Sequence, residues 1–395
     1  MALPLEGLRI IEMGQLIAGP MAGRMLAEFG ADVIKIEPPG EGDPLRKWRM
    51  LHNGTSVWWA AQSRNKRSVT LDLRQPEGQQ IAMSLLSTAD VLIENFRPGT
   101  LEKWGLGWET LHASNPGLIV LSVSGYGQTG PYRDRPGFGV IGEAMGGLRH
   151  LSGEPDRTPV RVGVSIGDSL SALHGVIGVL LALQSRQKTG NGQQVDVALY
   201  ESVFNMMESL IPEYSVFEHV RQPAGSSLPG IAPTNAYRCK DGKYALIAGN
   251  GDSIFQRLMQ IIERPDLAAD TALAHNDGRV KQVEMLDAAI EEWTHQRTLQ
   301  EVLTSLNESG IPAGKIYDAA DIANDPHYKA RDMLLSAKLP DGKPVILPGV
   351  IPKLLSTPGS VRHAAPELGQ HTQVVLSELG IDAEQCIILR EKGVI

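Results

Sequence analysis

Along the first third of the chain, short apolar runs alternate with segments of helical period. Leu8-Arg9-Ile10-Ile11-Glu12-Met13 reads as a strand. Pro20 starts a helix that runs to about Phe29, with proline in the first turn where its missing N–H costs nothing. Gly30 closes that helix, and Val33-Ile34-Lys35-Ile36 is the next strand. Residues 68–73, 91–94 and 118–123 read as further strands, and 76–87 as a helix. Strands separated by helices pair in parallel, so the pattern predicts an α/β, Rossmann-like doubly wound sheet.

The pattern then loosens. Residues 132–167 are rich in Gly, Pro and Arg and read as loop, with one helix near 140–148. A strong helix covers 168–187 and stops at Gly190-Asn191-Gly192, before a short strand at 195–199 and a helix from about Glu201. Residues 221–233 carry three prolines and read as a linker. Beyond it the period changes again. Residues 235–248 alternate around Lys240-Asp241-Gly242-Lys243, a hairpin signal, and helices follow at 252–263, 279–296 and 298–309. From Pro340 the chain returns to short strands and a helix near 370–379. The predicted organisation is a large domain from 1–220 plus 330–395, a linker at 221–233, and a small α+β domain at 234–329.

Composition narrows the functional classes. With 395 residues, 42% hydrophobic and 21% charged, the chain is of ordinary globular type. A formal net charge of −8 disfavours nucleic acid as a general partner. The first 200 residues are neutral, with 19 basic and 19 acidic side chains, so an anionic ligand meets less repulsion there. Two distant cysteines, Cys239 and Cys386, make neither a disulfide framework nor a metal spacing, and they point to a reduced, cytoplasmic chain. No basic segment leads into an apolar run at the start. The uncharged stretch 169–185 falls short of the roughly 20 residues a membrane span needs, and reads as a buried core helix.

Four places could carry chemistry. The first strand–helix–strand unit invites a dinucleotide, but Gln15, Leu16 and Ile17 stand where a G-x-G-x-x-G turn would be, which argues against it. Arg64-Asn65-Lys66-Arg67 suits phosphate recognition, or else is a solvated turn. Asp168, after Gly167 at the start of the long helix, is either an N-cap or a carboxylate kept ionised by the helix end and able to attack an acyl group. Gly249-Asn250-Gly251 is either a turn or a mobile lid with free N–H groups.

Read in order, these residues resemble one family. Ala18-Gly19-Pro20, the run from Gly30 to Gly40, Gly42-Asp43, Asn65-Lys66-Arg67-Ser68, Leu71-Asp72-Leu73 and Glu94-Asn95-Phe96-Arg97-Pro98-Gly99 are similar to the class III CoA-transferases of the formyl-CoA transferase type. So are the run from Gly125 to Pro131, Gly167-Asp168, the run from Thr189 to Gln193 and the run from Pro366 to Thr372. The resemblance implies a Rossmann-like large domain built from both chain ends, a smaller domain between, and an obligate homodimer of interlocked chains. It implies transfer of CoA from an acyl-CoA to a small carboxylic acid, with CoA esters as substrates and no permanently bound cofactor or metal. Asp168 falls on the family's nucleophile, and Gly249, Asn250 and Gly251 on its lid. Ile17 and Ala18 would border the thiol and pantetheine. Arg64, Lys66 and Arg67, with Leu71, Asp72, Leu73, Arg74, Asn95, Phe96, Arg97 and Lys103, would cradle the nucleotide end.

The sequence also departs from the family pattern. Pro38 replaces an Arg, Ile17 a Gln, and Phe138-Gly139 an aromatic–acid pair. These changes argue against oxalate and formyl-CoA. Likeness to dicarboxylate-using members, with Arg133, Arg135, Arg149, Arg157 and Arg161 ahead of Asp168, favours succinyl-CoA as donor and a dicarboxylic acceptor. The competing reading is an α-methylacyl-CoA racemase, which needs a base on each face of the α-carbon. Phe138 stands where its histidine would be. Acyl-CoA binding without catalysis is the third reading.

Overall fold

The computed structural model describes residues 2–395. Six parallel strands form the main sheet: β1 (Arg9–Glu12), β2 (Asp32–Glu37), β3 (Lys66–Thr70), β4 (Val91–Glu94), β5 (Ile119–Ser124) and β6 (Gln194–Ala198). Their spatial order is β3-β2-β1-β4-β5-β6. Apart from Arg9 and Asp32 at their starts, β1, β2, β4 and β5 are buried at every position. Helices cover both faces of a parallel sheet, which is why these strands read as near-continuous apolar runs.

One face packs under α1 (Ala18–Glu28) and α4 (Ile166–Thr189), with Ala22, Leu26, Ala172 and Val179 in the core. The other packs under α2 (Pro76–Leu86) and the chain's last residues, with Ile81, Leu85, Val394 and Ile395 buried. The amide of Asp72 donates to the carbonyl of Val394, tying the carboxyl terminus to the segment after β3. Helix α4 is not wholly a core helix. Leu173, Ile177, Leu180 and Leu181 form an outward apolar stripe at helical spacing, and Leu181 is 66% exposed. It is the one described helix long and apolar enough to span a membrane by length and composition.

The chain divides into two compact units. The larger comprises residues 1–149, 161–218 and 327–395, the smaller 150–160 and 219–326. Residues 150–160, read from sequence as part of the large domain, belong to the smaller unit. The Gly225 amide donates to the Gly153 carbonyl at 3.0 Å and so attaches that segment to residues following α4 and β6 in sequence. The smaller unit holds an antiparallel sheet of β7 (Thr234–Arg238), β8 (Tyr244–Ala248) and β9 (Ala313–Lys315), with β8 central. Its core includes Phe255, Leu258, Leu286 and Ile290.

Candidate active site

Strand order reverses between β1 and β4. Parallel sheets bind ligands at the carboxyl ends of such strands, because the flanking connections leave toward opposite faces and open a crevice. Here Gln15–Ala18 follows β1, Asn95–Pro98 follows β4, Ser124 and Gly125 close β5, and Leu199 follows β6. With parts of residues 133–140 and 161–168 they enclose a cavity of about 560 Å³.

Asp168 enters this cavity from the first turn of α4, where Ser165 occupies the N-cap position. The N-cap reading of Asp168 is therefore corrected. Room for its carboxylate comes from Gly139, at the start of α3 (Gly139–Met145), since a Cβ there would lie 2.2 Å from Asp168 Oδ2. Burial pushes the Asp168 carboxyl up to about 6, with the nearby Glu143 charge adding to the rise and Arg161 opposing it. The sequence reading expected the helix end to dominate; desolvation outweighs it. At neutral pH the group is still mostly ionised.

The turn after β1 is held from two sides. The Asn95 side chain accepts from the Gln15 amide at 2.7 Å and donates to the Gln15 carbonyl at 2.8 Å. Leu16 has φ of 64°, a left-handed conformation that costs a non-glycine residue about 1 kcal/mol. Its amide donates to the Asp43 carboxylate, which also sits 2.8 Å from the buried Lys35 ammonium. Lys35 in turn donates to the Gly14 carbonyl at 2.7 Å.

The cavity is cationic. Arg49, Arg97, Arg133, Arg135 and Arg161 line it, and Asp168 is the only carboxylate among its described lining residues, which include no histidine. Arg49 lies over the Trp58 ring and Arg135 over the Tyr132 ring. Arg133 is 3.5 Å from Asp134. This charge pattern fits a polyanionic ligand carried to one partly buried carboxylate.

The sequence profile described as CoA-transferase family III matches residues 5–372. The chain belongs to this family. It is 48% identical over 394 residues to the succinyl-CoA–D-citramalate CoA-transferase of Chloroflexus aurantiacus, covering 99% of this chain and 98% of the relative. It is 45% identical over 398 residues to the beta subunit of the succinyl-CoA–L-malate CoA-transferase of the same organism, covering 100% and 98%. Among solved structures, a CaiB/BaiF family protein from Brucella suis superposes with a TM-score of 0.84 at 36% identity, covering 96% of this chain and 100% of that one.

In this CoA-transferase, Ile17, Ala18, Asn95, Phe96 and Arg97 line the same cavity as Asp168. The basic run at 64–67 does not. Arg64 is 1% exposed and donates to Glu28 at 2.7 Å and to the Pro348 carbonyl. The Lys66 ammonium is sealed against Glu12 at 2.8 Å and the Pro20 carbonyl, and burial pushes its pKa down to about 8. Arg67 is paired with Asp32 and Glu378. Asn65 binds the backbone of Ser360, Arg362 and His363. The expectation that Arg64, Lys66 and Arg67 cradle phosphate is thus corrected: Arg64, Asn65 and Arg67 fasten the returning chain end to the sheet, and Lys66 is spent on Glu12 and Pro20. Leu71 and Leu73 are core residues, Asp72 accepts from Arg74, and Arg74 and Lys103 stand exposed outside the lining.

The glycine loop of the smaller unit is anchored rather than free. The Gly249 amide donates to Pro233, and the Asn250 carbonyl accepts from the buried Arg279. A Cβ at Gly249 would lie 2.5 Å from Leu258, which accounts for the glycine there; Gly251 N-caps the helix Asp252–Ile261.

Sequence reasoning passed over Trp48, Arg49 and Trp58, which line the cavity, and Glu143 behind it. The available signal was three tryptophans, half of the chain's six, within residues 48–59.

Proposed function

We propose that this enzyme moves CoA from succinyl-CoA to a small dicarboxylic acid of the malate or citramalate kind, with Asp168 as nucleophile. The observation that carries the reading is a single carboxylate, partly buried and largely ionised at neutral pH, in a cavity lined by five arginines. The names of the citramalate- and malate-using relatives support the substrate class.

Asp168 attacks the thioester carbon, the C–S bond breaks, and CoA leaves as thiolate with an aspartyl–succinyl anhydride behind it. The thiolate then attacks the Asp168 carbonyl and expels succinate, giving an aspartyl-CoA thioester. The acceptor carboxylate attacks that thioester and releases the thiolate, which attacks the acceptor's carbonyl in the new anhydride and frees Asp168. Each step exchanges one acyl bond for another, so no external oxidant, metal or net proton transfer enters the balance. Racemisation asks for a second base, and Phe138 and Gly139 occupy the wall where it would stand.

In this reading Ile17 and Ala18 border the pantetheine end, and Asn95, Phe96 and Arg97 lead outward toward the nucleotide. Arg74 and Lys103 are available to its phosphates, together with the 71–74 backbone. The outward stripe of α4 supports assembly as a homodimer of the family's interlocked kind, because an apolar face of that length is seldom left to solvent. The larger unit of 1–149, 161–218 and 327–395 and the smaller one of 150–160 and 219–326 would then be the working parts.

The test is to incubate purified enzyme with succinyl-CoA and a panel of acids, reading new CoA esters by mass. Hydroxylamine or borohydride should trap the intermediate at Asp168. Robust transfer by Asp168→Ala, or labelling elsewhere, overturns the mechanism.

A further inference from the structure

Five arginines line the cavity, and they are not equivalent. Arg49 and Arg135 are stacked on aromatic rings, and Arg133 leans on its neighbour Asp134. Arg97 follows β4, in the segment Asn95–Pro98. Arg161 differs on two counts. It is the arginine whose charge is felt at Asp168, and it is fastened from behind by a buried acid.

That acid is Glu143, on the last turn of α3 and 1% exposed. Its Oε1 lies 3.4 Å from Arg161 Nη2, and its Oε2 lies 3.6 Å from Arg149 Nη2. One buried carboxylate is thereby shared between two guanidiniums, leaving the cluster with one positive charge in excess. Arg149 does not line the cavity; Arg161 does. A guanidinium carries five N–H donors in a rigid fork, and the contact to Glu143 engages one nitrogen. The Arg161 side chain is 46% exposed, so its remaining donors are open to a ligand.

We infer that Arg161 is the specificity-determining residue that receives the distal carboxylate of the dicarboxylate, with Glu143 as the positioning residue that aims it. This rests on the proposed dicarboxylate chemistry of the same site. When the reacting carboxyl of a four- or five-carbon diacid lies against Asp168, its second carboxylate needs a cation a few ångströms further on. Arg161 supplies one whose orientation is set before the substrate arrives. A carboxylate–guanidinium pair of this kind contributes a factor of roughly 10–100 in selectivity. An acid without the second carboxylate gains nothing from it.

The experiment compares L-malate with 2-hydroxybutyrate, which has a methyl group in place of the distal carboxylate, as acceptors from succinyl-CoA. In a ping-pong reaction the acceptor's kcat/KM reports the second half-reaction, so damage to donor binding cancels in the ratio. Wild-type enzyme is expected to prefer malate strongly. Arg161→Gln should lower the malate to hydroxybutyrate ratio about 10–100-fold, and Arg161→Lys should keep part of it. Glu143→Gln should lower the ratio through KM for malate. Should Arg161→Gln not fold, Arg161→Lys carries the same comparison, because it keeps the charge and loses the fork. A diacid preference as strong in Arg161→Gln and Arg161→Lys as in wild type overturns the inference alone. A wild-type enzyme without any preference for the diacid overturns the substrate reading and the inference with it.

Discussion

Asp43 holds Leu16 in a left-handed turn: its two carboxylate oxygens lie 3.1 and 3.2 Å from the Leu16 amide nitrogen. The strained residue lines the cavity, while the acid that restrains it is 1% exposed and paired with the fully buried Lys35. Removing the Asp43 charge leaves Lys35 with Glu12 as its remaining acidic contact, at 3.0 Å. Asp43→Asn is expected to cost about 3 kcal/mol in urea unfolding, in the range for breaking a buried pair. It should also raise KM for acyl-CoA, because Leu16 relaxes toward its ordinary conformation. Unchanged stability would show that the pair does not hold the turn.

The pH dependence of transfer follows from Asp168. Its carboxyl is pushed up to about 6 and must be ionised to attack, so kcat/KM should fall tenfold per pH unit below that value. Glu143 contributes to the rise, so Glu143→Gln should move the acid limb to lower pH. An acid limb that stays in place in this variant would remove Glu143 from the account.

Gly139 sets the position of the Asp168 carboxylate. Gly139→Ala places a methyl group 2.2 Å from the present Asp168 Oδ2, and the carboxylate must rotate away. A displacement near 1 Å costs about 10²-fold in rate. The expected result is a loss of that order in kcat with native circular dichroism. Full activity would mean that another Asp168 rotamer is the productive one.

Glu94 gives a stability prediction of definite sign. Burial pushes its carboxyl from 4.5 up to about 7, while hydrogen bonds from Ser122 and the Phe96 amide pull the other way. The folded protein therefore binds this proton more tightly than the unfolded chain. The stabilisation is complete below pH 4.5 and is lost as pH rises through 7. Glu94→Gln keeps a neutral acceptor for Phe96, so it should be more stable than wild type at pH 8 by about 1–3 kcal/mol, the difference vanishing near pH 4. Equal unfolding midpoints at pH 8 would contradict this.

Much of the site was legible before folding was considered. Apolar strand runs and helix stops located β1, β2, β4 and β5 to within a few residues, since strands covered on both faces must be apolar throughout. Asp168 and the 95–97 segment were likewise marked by ordered motifs. The basic run at 64–67 was misread for a physical reason. A sequence shows that charges are close together, but Glu28, Glu12, Asp32 and Glu378, which neutralise them, come from remote positions. Trp48 and Trp58 were passed over because the segment between predicted elements carries no periodicity to place it.

By itself the sequence determined the parallel α/β architecture and the family, and it marked Asp168, because hydrophobic period and local motif are properties of neighbouring residues. The tertiary structure decided which cations face the cavity. Whether a guanidinium is free depends on acids that arrive from other elements. Folding spends Arg64 and Arg67 on ion pairs and buries Lys66, stacks Arg49 and Arg135 on rings, and leaves Arg161 half exposed beside Asp168, fastened by a glutamate eighteen positions earlier in the chain.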